Sequence, residues 1–141
     1  MTAATVAAKL GGRKVLKRQV RSDVELAALI REGLPTGALN HLVKEFAVGE
    51  VYRVVGSPRT LQRKRAAGGR LSPDESDRLA RLARIVARAE EALGTTAKAH
   101  HWLKRENRAL GGVKPLSLLD SDAGALAVER MLGRIEHGIF S

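Results

Sequence analysis

The chain has 141 residues, 44% of them hydrophobic, with four aromatics and no cysteine. That suits one compact domain or two small packed ones with a core of Leu, Ala and Val, and it excludes disulfides and thiolate metal sites. No run of about 18 apolar residues is present to span a bilayer, and the Ala/Val-containing start has no basic lead of the kind a secretory signal carries, so a reducing cytoplasm is the expected location. The net charge of +10 is unevenly placed, with 14 Lys/Arg against 5 Asp/Glu in residues 1–70 and 11 against 10 in residues 71–141. A field concentrated in the first half points to a polyanionic partner there, and the balanced second half to a different task.

Residues 1–22 contain "KLGGRKVLKRQVR", six Lys/Arg and no acid. Glycines and sparse apolar periodicity predict a basic, flexible arm. From residue 23 a helix is expected, with Ser22 as N-cap, Glu25 at the capping-box position and Gly33 as its stop. Leu39, Leu42, Val43 and Phe46 then follow helical spacing. In "AVGEVYRVVGSPRTLQRKRAAGG" the β-branched "VYRVV" alone would suit a strand, but Val48, Val51, Val54 and Val55 share one helix face. The turn "GSP" opens another helix, with Ser57 as N-cap and Pro58 at its first position.

The clearest local signal is "LSPDESDRLARLARIVARAEEALG". Ser72 caps, Pro73 follows, Glu75 completes a capping box, and Leu79, Leu82, Val86, Ala89 and Leu93 recur every three or four residues until Gly94. Such a helix is about 31 Å long. Its arginines, Arg78, Arg81, Arg84 and Arg88, read as a solvated face with intrahelical Asp74–Arg78 and Asp77–Arg81 pairs. A helix over "TTAKAHHWLKR", a Gly-rich turn, and a last helix over residues 122–137 complete the chain. The last helix should bury Leu126, Val128, Met131, Leu132 and Ile135. The fold class expected is all-α, divided into a basic arm (1–22), a helix-turn-helix region (23–70) and a C-terminal helical domain (71–141).

The basic helix after the "GSP" turn has the composition of a DNA reader. Arg pairs with guanine edges, Gln with adenine, and Lys or Thr with phosphate. The candidates are Arg59, Thr60, Gln62, Arg63 and Lys64, with Arg59, Gln62 and Arg63 on one face and Leu61 turned toward the preceding helix. A plain solvated surface helix is the competing reading. Catalytic signatures are missing: there is no nucleophile elbow, phosphate-binding loop or dinucleotide fingerprint. The four histidines lack metal spacing, and Glu90 and Glu91 have no evident convergent partner. Neither an enzyme nor a small-molecule substrate, metal or cofactor is expected. Trp102 suits core or interface better than a base-stacking platform. The segment "RIEHGIFS" raises its own question, because Ile139 and Phe140 are apolar where chains are usually solvated. Either this protein's own core or dimer interface buries them, or a partner does.

Three stretches, "SPRTLQRKRAAGGRLSPDESDRLARLARI", "WLKRENRALGGVKPLSLL" and "GRIEHGIFS", together resemble the Xre-type antitoxins of RES–Xre toxin–antitoxin modules, the Xre/MbcA/ParS-like group, over residues 24–141. The chain departs from that pattern at Glu106-Asn107, where a Pro-Asn is usual, and in the spacing of the Val55-Gly56-Ser57 turn. The resemblance implies a bacterial, cytoplasmic, type II antitoxin that forms a homodimer or a higher hetero-oligomer with its toxin. It further implies occlusion of a RES-fold, NAD-degrading toxin and autorepression through operator DNA. Carried to this sequence, the toxin-binding segment is Gly138, Ile139, Phe140 and Ser141, approached by Arg134, Glu136 and His137. The alternative is a stand-alone helix-turn-helix regulator whose C-terminal half only dimerises, and an adaptor that no longer binds DNA is a third reading.

Overall fold

The computed structural model describes residues 1–138, and among these every regular element is helical. α1 (Ala3–Lys9) and α2 (Gly12–Leu16) precede α3 (Asp23–Glu32), α4 (Thr36–Val43), α5 (Val48–Val55) and α6 (Pro58–Ala67). The long α7 (Pro73–Leu93) is followed by α8 (Thr96–Lys104), 3₁₀ turns at Arg108–Leu110 and Pro115–Asp120, and α9 (Asp122–Glu136). No helix among the described residues is long and apolar enough to cross a membrane.

Local chemistry sets most of these limits. Ser22 and Ser72 each accept the backbone N–H three residues on, at 3.1 Å, and Thr95 and Ser121 do the same for α8 and α9. Each satisfies one of the N–H groups a helix start leaves without a partner. Gly33 ends α3 at φ 99, and a Cβ there would lie 2.3 Å from the Leu71 carbonyl oxygen. Only glycine fits, because both the backbone angle and the neighbouring chain forbid a side chain.

α7 is the spine. Leu79, Leu82, Ala83, Ile85, Val86 and Ala89 are fully buried, and α1, α3, α5, α8 and α9 pack around it. One turn of α7 also orders the first half: Ser76 Oγ accepts the Leu34 N–H at 2.7 Å. Beside it, Leu71 N–H donates to Leu34 O and Thr36 N–H to Gly69 O, both at 2.8 Å. The segments before α4 and after α6 are thereby locked together.

The structure overturns four expectations. Residues 1–22 are not a flexible arm: Ala3, Val6, Ala7, Leu10, Leu16 and Val20 are buried in the common core, and Lys9 Nζ reaches Glu90 at 2.7 Å and Glu45 at 3.7 Å. Helices this short are unstable alone and form here because α7 and α4 bury their apolar faces. Glu90 therefore does have convergent partners, Lys9 and the Thr96 hydroxyl. Nor do the arginines of α7 form a solvated face, since Arg81 is 8% exposed and Arg84 and Arg88 pair with α9. Finally, Leu126 is 45% exposed, while Ala125, Val128, Met131 and Leu132 form the buried face of α9.

Candidate functional site

Two surfaces combine exposed chemistry with a rigid support. The first is the α5–turn–α6 unit. Val51, Val54 and Val55 anchor α5 in the core, and the backbone is extended at Gly56 (φ 170). Pro58 then takes the first position of α6 and Leu61, with no exposure, plugs the helix into the core. A period of 3.6 residues leaves Arg59, Gln62 and Arg63 on the outer face, all exposed, with Thr60 half-buried beside them. Arg59 and Arg63 have no ion-pair partner among the described residues.

The other cations of α6 brace it. Lys64 Nζ lies 2.6 Å from Glu75 Oε1, and that same oxygen accepts the Ser72 N–H at 2.8 Å. Burial by itself would raise the Glu75 carboxyl pKa. The bond from Lys64, the Ser72 N–H and the lysine charge outweigh it and hold the group below the ordinary value. Arg65 donates through Nε to Asn40 Oδ1 at 2.5 Å and through Nη1 to the Tyr52 hydroxyl at 2.9 Å. The structure thus separates two kinds of basic residue on one helix: outward cations without partners and inward cations that fix its orientation. Lys64 belongs to the second kind, which composition alone did not reveal.

The second surface is the end of α9. A ladder joins α7 to α9: Arg81 Nη1 to Asp122 Oδ1 at 2.9 Å, Arg84 Nε to Glu129 Oε1 at 2.7 Å, and Arg88 Nη2 to Glu136 Oε1 at 2.8 Å. The pairs follow the same order along both helices, so α7 and α9 run broadly parallel. Arg81 also donates through Nε to the Leu119 carbonyl at 3.4 Å, tying in the turn before α9. The Glu136 carboxyl is held below its usual pKa, chiefly by the Arg88 hydrogen bond. Burial opposes this, and the charges of Arg88, His137 and the N-terminal amine add to the lowering. Sequence reading missed the ladder, although Asp122, Glu129 and Glu136 recur every seven residues opposite arginines three and four apart.

Of the residues expected to meet a partner, Glu136 is therefore engaged by Arg88, while Arg134 and His137 are exposed on the last turn. Gly138 has φ +73 and open space where a Cβ would stand. Ile139, Phe140 and Ser141 lie outside the described residues. No group of three or more His, Asp or Glu side chains placed to hold a metal occurs among the described residues.

These two surfaces fall in two matched domains. Residues 25–84 match the antitoxin Xre-like helix-turn-helix domain, and residues 88–138 match the antitoxin Xre/MbcA/ParS C-terminal toxin-binding domain. Antitoxin Xre of Photorhabdus laumondii is 39% identical over 124 residues, covering 85% of this chain and 84% of the relative. Antitoxin Xre of Yersinia enterocolitica is 40% identical over 103 residues, covering 72% of this chain and 70% of the relative. A Prs ADP-ribosylating antitoxin of Sphingobium sp. is 26% identical, covering 85% of this chain and 83% of the relative.

Proposed function

We infer, because this chain belongs to the Xre family of antitoxins, that it neutralises a RES-fold, NAD-degrading toxin of a type II module by occupying its active site, and represses its own operon. The observation that carries the first part is that the matched toxin-binding domain takes in all of α9 and ends two residues past its last turn. That turn is held in place by the Arg88–Glu136 pair and presents Arg134, His137 and Gly138 at the surface. We propose that Ile139, Phe140 and Ser141, which follow this turn in sequence, enter the toxin's nucleotide cleft. An apolar pair beside polar groups suits a pocket shaped for a nicotinamide nucleotide. The mechanism is steric occlusion, with no covalent chemistry by this chain.

The Sphingobium relative carries the name Prs ADP-ribosylating antitoxin. Transfer of ADP-ribose also consumes NAD, so either toxin chemistry presents a nucleotide cleft for the same segment.

The DNA-binding part rests on Arg59, Gln62 and Arg63, with Thr60 beside them, on a helix whose orientation Leu61, Lys64 and Arg65 fix. A dimer would offer two such helices to a two-fold operator. A decisive experiment co-expresses the toxin gene with N-terminally tagged antitoxin, either full length or ending at Gly138, and follows toxin recovery and cellular NAD. Full-length chain should retain the toxin and keep NAD constant, and the shortened chain should lose both effects. Equal protection by both would refute the role of residues 139–141. Recovery of no partner by either would leave the plain regulator as the better reading. In parallel, Arg59→Ala with Arg63→Ala should abolish preference for the upstream DNA over scrambled DNA.

A further inference from the structure

α1 and α2 lie ahead of residue 25, where the matched helix-turn-helix domain begins, so that match does not account for their charge. Six cations occur between Lys9 and Arg21, and the structure divides them. Lys9 is held by Glu90 and Glu45, Arg18 Nη2 pairs with Glu32 at 2.9 Å, and Arg21 donates to Gln19 at 2.9 Å. Arg13, Lys14 and Lys17 are exposed, and their side chains make no ion pair or hydrogen bond among the described residues.

These three do not sit on a loose tether. Leu16 and Val20 are buried, and Val15 presses on α4 at Gly37, where a Cβ would come within 3.1 Å of Val15 Cγ1. Lys17 caps α2 at φ 63, the left-handed region that ordinarily falls to glycine. A lysine there accepts backbone strain, and three like charges within five positions repel one another. Among the described residues no carboxylate pairs with any of the three.

Gly37 and Asn40 lie three residues apart on one face of α4. The first touches α2, and the second accepts from Arg65 of α6. Two helices resting on one helix are at most about two interhelix distances apart, roughly 20 Å. A surface within that limit can cover a major groove, about 12 Å wide, and the phosphate strand beside it. The same logic that marks Arg59 and Arg63 as outward-facing, exposure without a partner, marks Arg13, Lys14 and Lys17.

We propose that α2 is a second DNA-contacting element, in which Arg13, Lys14 and Lys17 bind backbone phosphates flanking the groove that α6 enters. This rests on the operator-binding reading above. The contacts are to phosphate, so they add affinity at every sequence and leave base preference to α6.

The test measures binding of the full-length chain to the duplex lying upstream of its gene, and to a scrambled duplex of equal length, across a salt series. The triple variant Arg13→Gln, Lys14→Gln, Lys17→Gly should lower the slope of log affinity against log salt by about 2 to 3 for each protomer bound, at about 0.9 per lost phosphate contact. Between about 50 and 200 mM salt, the wild type should then lose roughly 40-fold more affinity than the triple variant for each protomer bound. The ratio of specific to scrambled binding should stay unchanged. Circular dichroism checks folding, and the single changes, each lowering the slope by about one, keep the test open if the triple variant folds poorly. A slope unchanged in the singles and the triple overturns the α2 contact while leaving α6 intact. Wild-type chain that binds neither duplex overturns the operator reading and this proposal with it. Normal DNA binding with lost toxin recovery in the triple variant would reassign the patch to a protein interface and likewise overturn it.

Discussion

Replacing Gly124 by alanine should destabilise this protein, although the same change two and a half turns further along the same helix should stabilise it. Alanine inside a helix is favoured over glycine by about 0.5–1 kcal/mol. At Gly133 the nearest atom to an added Cβ is Arg88 Nη2 at 3.9 Å, an ordinary contact at the end of a flexible side chain. Gly133→Ala should therefore show the full gain. At Gly124 the added carbon would stand 1.9 Å from the Leu118 carbonyl oxygen and 2.8 Å from its carbon. Those are backbone atoms of the 3₁₀ turn Pro115–Asp120, which is pinned by buried Leu116 and Leu119. Reaching a normal carbon–oxygen separation requires an opening of about 1.5 Å between the turn and α9. Overpacking of this kind costs about 1–3 kcal/mol, and the propensity gain is common to both changes, so the two variants should differ by about 1–3 kcal/mol. At about 4 °C per kcal/mol for a chain of this size, their melting temperatures should lie roughly 4–12 °C apart, with Gly133→Ala the higher. Thermal and urea unfolding followed by circular dichroism reads this directly. Equal stability of the two variants would refute the close approach of α9 to the preceding turn.

Glu75→Gln should lower stability by about 1 kcal/mol at pH 7, since the Lys64 and Ser72 bonds favour the charged carboxylate. The Glu75 pKa is lowered in the fold, so its contribution is complete above the unfolded carboxyl value near 4.5 and fades as pH falls through the folded one. Urea titrations of wild type and variant should accordingly converge on acidification below that value; a gap that stays constant would contradict the assignment. In the α7–α9 ladder, Arg81→Ala should cost about 2 kcal/mol, because its buried stem and the Leu119 carbonyl both lose a partner. Arg84→Ala should cost no more than about 0.5 kcal/mol, and less at high salt, because its pair with Glu129 is partly solvated. Equal losses at the two positions would mean that burial does not set the strength of the ladder.

Which features were legible in advance follows from the distance over which each is encoded. The limits of α7 are written within a few residues, by Ser72, Pro73 and Glu75 at one end and Gly94 at the other. The reading of "VYRVV" as helix rested on four valines sharing one face; α5 does occupy Val48–Val55, with Val51, Val54 and Val55 buried but Val48 exposed. The outward set on α6 also follows from local periodicity, once Leu61 is taken as the buried position. By contrast, the Arg81–Asp122, Arg84–Glu129 and Arg88–Glu136 pairs join residues 41, 45 and 48 positions apart. An arginine four residues after an aspartate looks the same in sequence whether it faces water or another helix.

Sequence alone determined the all-helical class, the cap chemistry, the long central helix and the basic character of α6. All of these are stated by neighbours within one or two turns. Tertiary structure decided the order of residues 1–22, because Val6, Leu10 and Leu16 form stable short helices only when α7 and α4 cover them. It also decided which cations stay free. Charge is fixed by residue type, but whether it is neutralised depends on a carboxylate delivered by another part of the chain, as Glu75 is to Lys64 and Glu136 to Arg88.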